Sequence, residues 1–193
     1  TGLVTVAISD ANASGGTLSG TLQRNAVNGV ATFNDLRINL AQTGHALSAT
    51  ATGPAGATSA PFDISAAQAS HLVFTVQPTN NRAGLITVPR VEVTALDSLG
   101  NAVPFISVPV PVTLTITAGT GASGATCSGG VGALLGGLVG AAPFTRFDVS
   151  IDKAGTGYTL SATAPGLSGA TSAPFDIVPD AAVKLAFTAE PIS

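Results

Sequence analysis

The sequence predicts an all-β protein made of antiparallel β-sandwiches in tandem. Three observations predict it. Short segments alternate apolar and polar residues with a period of two, between turns rich in Gly and Pro. No segment has the periodicity of an amphipathic helix. One phrase, "GATSAPFDI", is written twice, at 56–64 and at 169–177.

The repeat sets the organisation. "GHALSATATGPAGATSAPFDIS", from Gly44, aligns without a gap on "GYTLSATAPGLSGATSAPFDIV", from Gly157. The match continues as "HLVFTVQP" (71–78) on "VKLAFTAEP" (183–191), where Leu72, Phe74 and Pro78 meet Leu185, Phe187 and Pro191. Upstream, "SGGTLSG" (14–20) matches "SGATCSG" (123–129), and "VTVAI" (4–8) matches "VTLTI" (112–116). A period near 113 residues is the size of an independent domain and too long for a solenoid unit. The expected organisation is the C-terminal part of one repeat (1–65), a complete repeat (66–178) and the first strand of a third (179–193).

Within the complete repeat each strand follows from alternation. "HLVFTVQ" sets Leu72, Phe74 and Val76 on one face. "RVEVTA" turns Val91, Val93 and Ala95 inward and Glu92 and Thr94 outward. "LDSLGNAV" (96–103) reads as a hairpin turn in which Gly100-Asn101 supplies positive φ. "PVTLTIT" alternates Val112, Leu114 and Ile116 against threonines. "FDVSI" offers Phe147, Val149 and Ile151, "YTLSATA" offers Tyr158, Leu160 and Ala162, and "APFDI" offers Phe175 and Ile177. Clean alternation implies antiparallel sheets with one dry face. About seven such strands in about 110 residues read as an immunoglobulin-like sandwich. The segments "SAAQAS" and "VPDAAV" read as short linkers that limit swing between neighbours.

The pieces "LVFTVQP", "VTALDSLGNAV" and "IDKAGTGYTLSATAPGLSGATSAPFDI" resemble the bacterial immunoglobulin-like repeats of large secreted surface proteins and adhesins. The resemblance covers the whole chain in the register given above. It implies a stalk or spacer module strung in tandem outside the cell. Tyr158, after "AGTG", resembles the corner tyrosine of such sandwiches, whose hydroxyl bonds nearby backbone. In the first repeat His45 occupies that place.

Composition narrows the function. Charged residues are 9% of the chain and hydrophobic residues 45%, so the polar surface is built of Thr, Ser, Asn and Gly. Such a surface suits a protein that meets dry or solid surroundings, or one whose faces pack on neighbours. The net charge is −3 and the seven basic residues are scattered, which argues against nucleic acid as a partner. No apolar run is long enough to span a bilayer. The sequence has no starting Met and no signal peptide, and reads as a mature product or an excerpt.

Candidate sites are few. Asp97 in the hairpin turn could bind Ca²⁺ or make an Asx-type turn bond. Asp63 and Asp176 point away from the core and could hold a cation or simply be hydrogen-bonded. His45 and His71 stand singly, with no zinc spacing around them. Cys127 aligns with Leu18, which makes it a small core residue, and an intermolecular disulfide is the alternative. Asn12-Ala13-Ser14 matches the N-glycosylation pattern, and no "GxSxG" elbow or acid–base pair is present. No catalytic residue, metal site or cofactor is expected, and an enzyme is disfavoured.

Two stretches suggest assembly. "GGVGALLGGLVGAAPF" (129–144) is either a buried strand with a Gly-rich turn or an exposed apolar strip formed by Val131, Leu134, Leu135, Leu138 and Val139. The first repeat also lacks any counterpart of residues 66–107. Either the chain is an excerpt, or a neighbour supplies strands, with Leu185 and Phe187 of "VKLAFTAEP" as the donor. The expected function is a non-catalytic structural module of an extracellular bacterial fibre or adhesin stalk. Its partners would be copies of itself or adjacent repeats, head to tail. The alternative is an adhesive module whose sandwich-end loops bind a glycan or a host surface. Few aromatics (5%, with no Trp) weigh against sugar stacking.

Overall fold

The computed structural model describes residues 2–9, 16–103, 110–134 and 144–183. Among the described residues there is no helix; the elements are strands joined by turns. The chain divides into two compact units. The first comprises Thr1–Ala69 with Leu96–Val103, and the second Ser70–Ala95 with Pro104–Ser193.

The first unit carries β1 (Leu3–Ile8), β2 (Leu18–Ser19), β3 (Gln23–Asn25), β4 (Arg37–Ile38), β5 (Gln42–His45), β6 (Leu47–Ala51), β7 (Ala57–Thr58) and β8 (Phe62–Ile64). Its main sheet runs in the order β3-β1-β6-β7, and β2-β4 and β5-β8 form two further pairs. All of these pairings are antiparallel.

The second unit carries β9 (His71–Val76), β10 (Asn81–Arg82), β11 (Val91–Leu96), β12 (Val110–Ile116), β13 (Cys127–Ser128), β14 (Val131–Leu134), β15 (Phe144–Phe147), β16 (Ser150–Ile151), β17 (Gly155–Tyr158), β18 (Leu160–Ala164), β19 (Leu167–Thr171) and β20 (Phe175–Val178). A seven-stranded sheet runs β14-β12-β18-β19-β9-β11-β15, beside the three-stranded β10-β20-β17 and the pair β13-β16. Most pairs are antiparallel, but β9 adds to β19, and β10 to β20, in parallel.

The inward-facing residues of these strands, with Val149 between β15 and β16, form one core. Leu72, Val91, Val93, Ala95, Val112, Leu114, Phe147, Val149, Ile151, Tyr158, Leu160, Ala162, Phe175 and Ile177 are all buried. This is an all-β sandwich whose period-two pattern puts its apolar residues on the dry face. Thr94, which alternation sends outward, is buried as well, with its hydroxyl 3.3 Å from that of Thr75.

The two units share one strand register. His45 opposes Phe62 as Tyr158 opposes Phe175, and Gln42 opposes Ile64 as Gly155 opposes Ile177, with the same irregularity between. Ile8 opposes Leu47 as Ile116 opposes Leu160. Leu18 opposes Ile38 as Cys127 opposes Ile151.

The stretch 129–144 corrects one expectation. Residues 131–134 form β14, which pairs antiparallel with β12. Val131 is 80% exposed, but Leu134 is 0% exposed and belongs to the core. Three positions apart on a strand means opposite faces, so these two residues cannot share an exposed strip. Leu135, Leu138 and Val139, and the donor residues Leu185 and Phe187, lie outside the described residues, as does Asn12.

Candidate functional site

The described chemistry is a set of polar fixings at strand ends, and the repeated phrase supplies two of them. In "GATSAPFDI" the serine hydroxyl accepts a backbone N–H: Leu47 to Ser59 Oγ at 3.0 Å, and Leu160 to Ser172 Oγ at 2.9 Å. The same hydroxyl donates to the next carbonyl, Ala60 or Ala173, at 2.9 Å. Four residues on, in the next strand, the aspartate accepts the N–H of a glycine: Gly44 to Asp63 and Gly157 to Asp176, both at 2.8 Å. Gly44 and Gly157 have φ of 77° and 67°, so a left-handed residue sits at each irregularity and its amide needs a partner off the ladder. Asp63 and Asp176 are thus backbone acceptors.

Each corner is fixed by a ring. Tyr158 donates its hydroxyl to the Lys153 carbonyl at 2.9 Å. His45 Nε2 lies 3.0 Å from the Leu40 carbonyl. A carbonyl only accepts, so the imidazole carries its proton on Nε2 there.

The densest polar cluster lies in the first unit, at the 96–103 turn. Asp97 is 1% exposed. Its Oδ1 accepts the N–H of Leu99 at 2.8 Å and of Asn101 at 2.9 Å, the Asx-type geometry of a turn aspartate. Its Oδ2 accepts from Ala67 N and from Asn101 Nδ2, each at 3.0 Å. Asn101 reaches on, donating to the Asn39 carbonyl at 3.0 Å and accepting from Ala41 N at 2.9 Å. Gly100 supplies the positive φ of the turn (87°), while Asn101 acts through its side chain. Burial pushes the Asp97 carboxyl up. The Asn101 side chain and the N–H groups of Ala67, Asn101 and Leu99 outweigh that and hold it at about 2. The carboxylate is saturated by N–H donors, as a structural anchor requires. Spacing alone could not reveal Asn101, because its partners lie some 60 residues away in sequence.

The remaining candidates show no reactive arrangement. Cys127 is half-buried, and burial pushes its thiol up, away from the thiolate. His71 Nδ1 lies 2.8 Å from Ser70 Oγ. Among the described residues no group of three His, Cys, Asp or Glu side chains could hold a metal ion. Among them, too, no helix is long and apolar enough to cross a membrane.

The first unit also has an open apolar groove of about 460 Å³, lined by Leu18, Ile38, Leu47, Phe62, Ile64 and Leu99 among others.

No family model matches the sequence, and no curated protein matches it. Several solved structures are similar to it. The D00-D0 domain of intimin aligns with 92% of this chain and 86% of its own, at 17% identity and a TM-score of 0.44. FdeC, a broadly conserved Escherichia coli adhesin, aligns with 91% of this chain and 52% of its own, at 19% identity and a TM-score of 0.38.

Proposed function

We propose that the chain is a structural, non-catalytic module of an extracellular bacterial fibre or adhesin stalk, built of immunoglobulin-like units in tandem. The observation that carries this reading is the shared register of the two units, with the same serine, aspartate and ring fixings at matching positions. A chain that repeats its joints as well as its core is made to extend by repetition. The low charge supports close packing between copies or adjacent repeats of the same chain. The sequence resemblance supports the extracellular bacterial setting.

Electron microscopy of the native material tests this. Regular filaments with an axial spacing of one or two sandwich lengths are expected. Discrete particles without axial repeat would reject the fibre. Strong, selective signals on a glycan array would favour an adhesive module in its place.

A further inference from the structure

We propose that residues 70–83 of the second unit form a load-bearing clamp on β19 and β20, in which the side chains of Gln77 and Asn80 serve as rungs where the backbone ladder breaks off. The clamp goes beyond the stalk reading, since it fixes how one unit resists a pull on its two ends.

The segment that enters this unit runs parallel to β19 and β20. β9 lies beside β19, with His71 opposite Ser168 and the Ser168 N–H donated to the Ser70 carbonyl at 3.0 Å. β10 lies beside β20, with Asn81 opposite Ile177 and Arg82 opposite Val178, and the Ala83 N–H reaches the Val178 carbonyl at 3.0 Å. These two contacts belong to different sheets, so the entering chain changes sheets between Val76 and Asn81. Pro78 is buried at the change and has no N–H to give to a ladder. Two side chains bridge the break. Gln77 Oε1 accepts the Ala173 N–H at 2.9 Å, and Asn80 Oδ1 accepts the Asp176 N–H at 2.8 Å. Both bonds span 96 residues, the spacing that also pairs Asn81 with Ile177 and Arg82 with Val178. One parallel register therefore continues through the sheet change.

Direction makes this register a clamp. Tension on the N-terminal end of one strand and the C-terminal end of its parallel neighbour slides the two lengthwise. Every bond between them is then strained at once, where peeling would break them in turn. A single such bond is weak in water, so resistance comes from loading the set together. Forced unfolding follows the unfolding rate, not the equilibrium, and so rises with the number of rungs that must break in one step. Gln77 and Asn80 are exposed. Water can replace them when the chain is at rest, so they add to the barrier under load and little to resting stability.

Single-molecule force spectroscopy on the full 193-residue chain tests the clamp, with Cys127→Ser throughout so that only engineered cysteines serve as handles. Gln68 and Ala181 are exposed and flank the clamp, so Gln68→Cys with Ala181→Cys applies the load lengthwise. Leu85 is 48% exposed and follows β10. Leu85→Cys with Ala181→Cys therefore loads the same end of β10 and β20 and peels them apart. The lengthwise pull should need the higher force. Gln77→Ala with Asn80→Ala should lower that force and leave the urea midpoint of unfolding in place. Equal forces in the two directions, an unchanged lengthwise force in the double variant, or a midpoint loss large enough to account for the lost force would each overturn the clamp. None of these results touches the stalk reading, which is decided by axial repeats in the native material.

Discussion

The ring of Tyr158 packs on that of Phe175 at a centroid distance of 6.0 Å and a tilt of 33°, and His45 meets Phe62 in nearly the same way, at 6.1 Å and 37°. Two chemically different rings therefore occupy one niche, each bonded to the carbonyl five residues upstream. Tyr158→Phe keeps the ring and loses the hydroxyl, so it should cost about 1 kcal/mol. Tyr158→Ala also opens a cavity and should cost about 3–5 kcal/mol. Urea unfolding followed by far-UV circular dichroism measures both, since the only Tyr in a chain without Trp cannot serve as its own probe.

Asp97 should make the first unit sensitive to acid. Its carboxyl sits at about 2 when folded, against 3.8 ordinarily. A depressed folded value means stability that is fully present above about pH 4 and is lost as pH falls toward 2. Asp97→Asn should flatten that part of the stability-against-pH curve. At neutral pH, Asp97→Ala strands the Asn101 side chain and three backbone N–H groups, and should cost on the order of 2–3 kcal/mol. Unchanged acid unfolding in Asp97→Asn would show that another carboxylate governs it.

These residues mark how far the sequence could be read. Alternation in "PVTLTIT" located Val112 and Leu114, because one dry face leaves a period-two trace. The run 129–144 has no polar residues to mark its outer face, so Leu134 could not be told from Val131. Asn101 reads locally as a turn residue, while its work is done on Asn39 and Ala41. The serine and aspartate fixings did leave a signal: polar letters identical in both repeats, at positions where a merely solvated surface would have drifted.

The turn before β13 depends on two glycines that differ in surroundings. Gly119 and Gly121 have φ of 80° and 66°. A Cβ on Gly119 would meet open space, while one on Gly121 would overlap the Tyr158 ring. Gly119→Ala should therefore cost only the left-handed backbone penalty, about 1–2 kcal/mol. Gly121→Ala adds overpacking against a buried ring and should cost about 2–4 kcal/mol. Thermal unfolding of the pair checks the ordering, and equal losses would show that Tyr158 moves aside freely.

The same letter should have different worth in the two units. Ser59 and Ser172 make matching bonds, to Leu47 N and Leu160 N. Ser172 is only 6% exposed, whereas Ser59 is exposed. Removing a buried acceptor leaves an N–H that water cannot reach, while an exposed N–H is resolvated. Ser172→Ala should cost about 1–2 kcal/mol and Ser59→Ala no more than about 0.5 kcal/mol. Denaturant unfolding of both variants checks the contrast, and equal losses would show that burial does not set the worth of this bond.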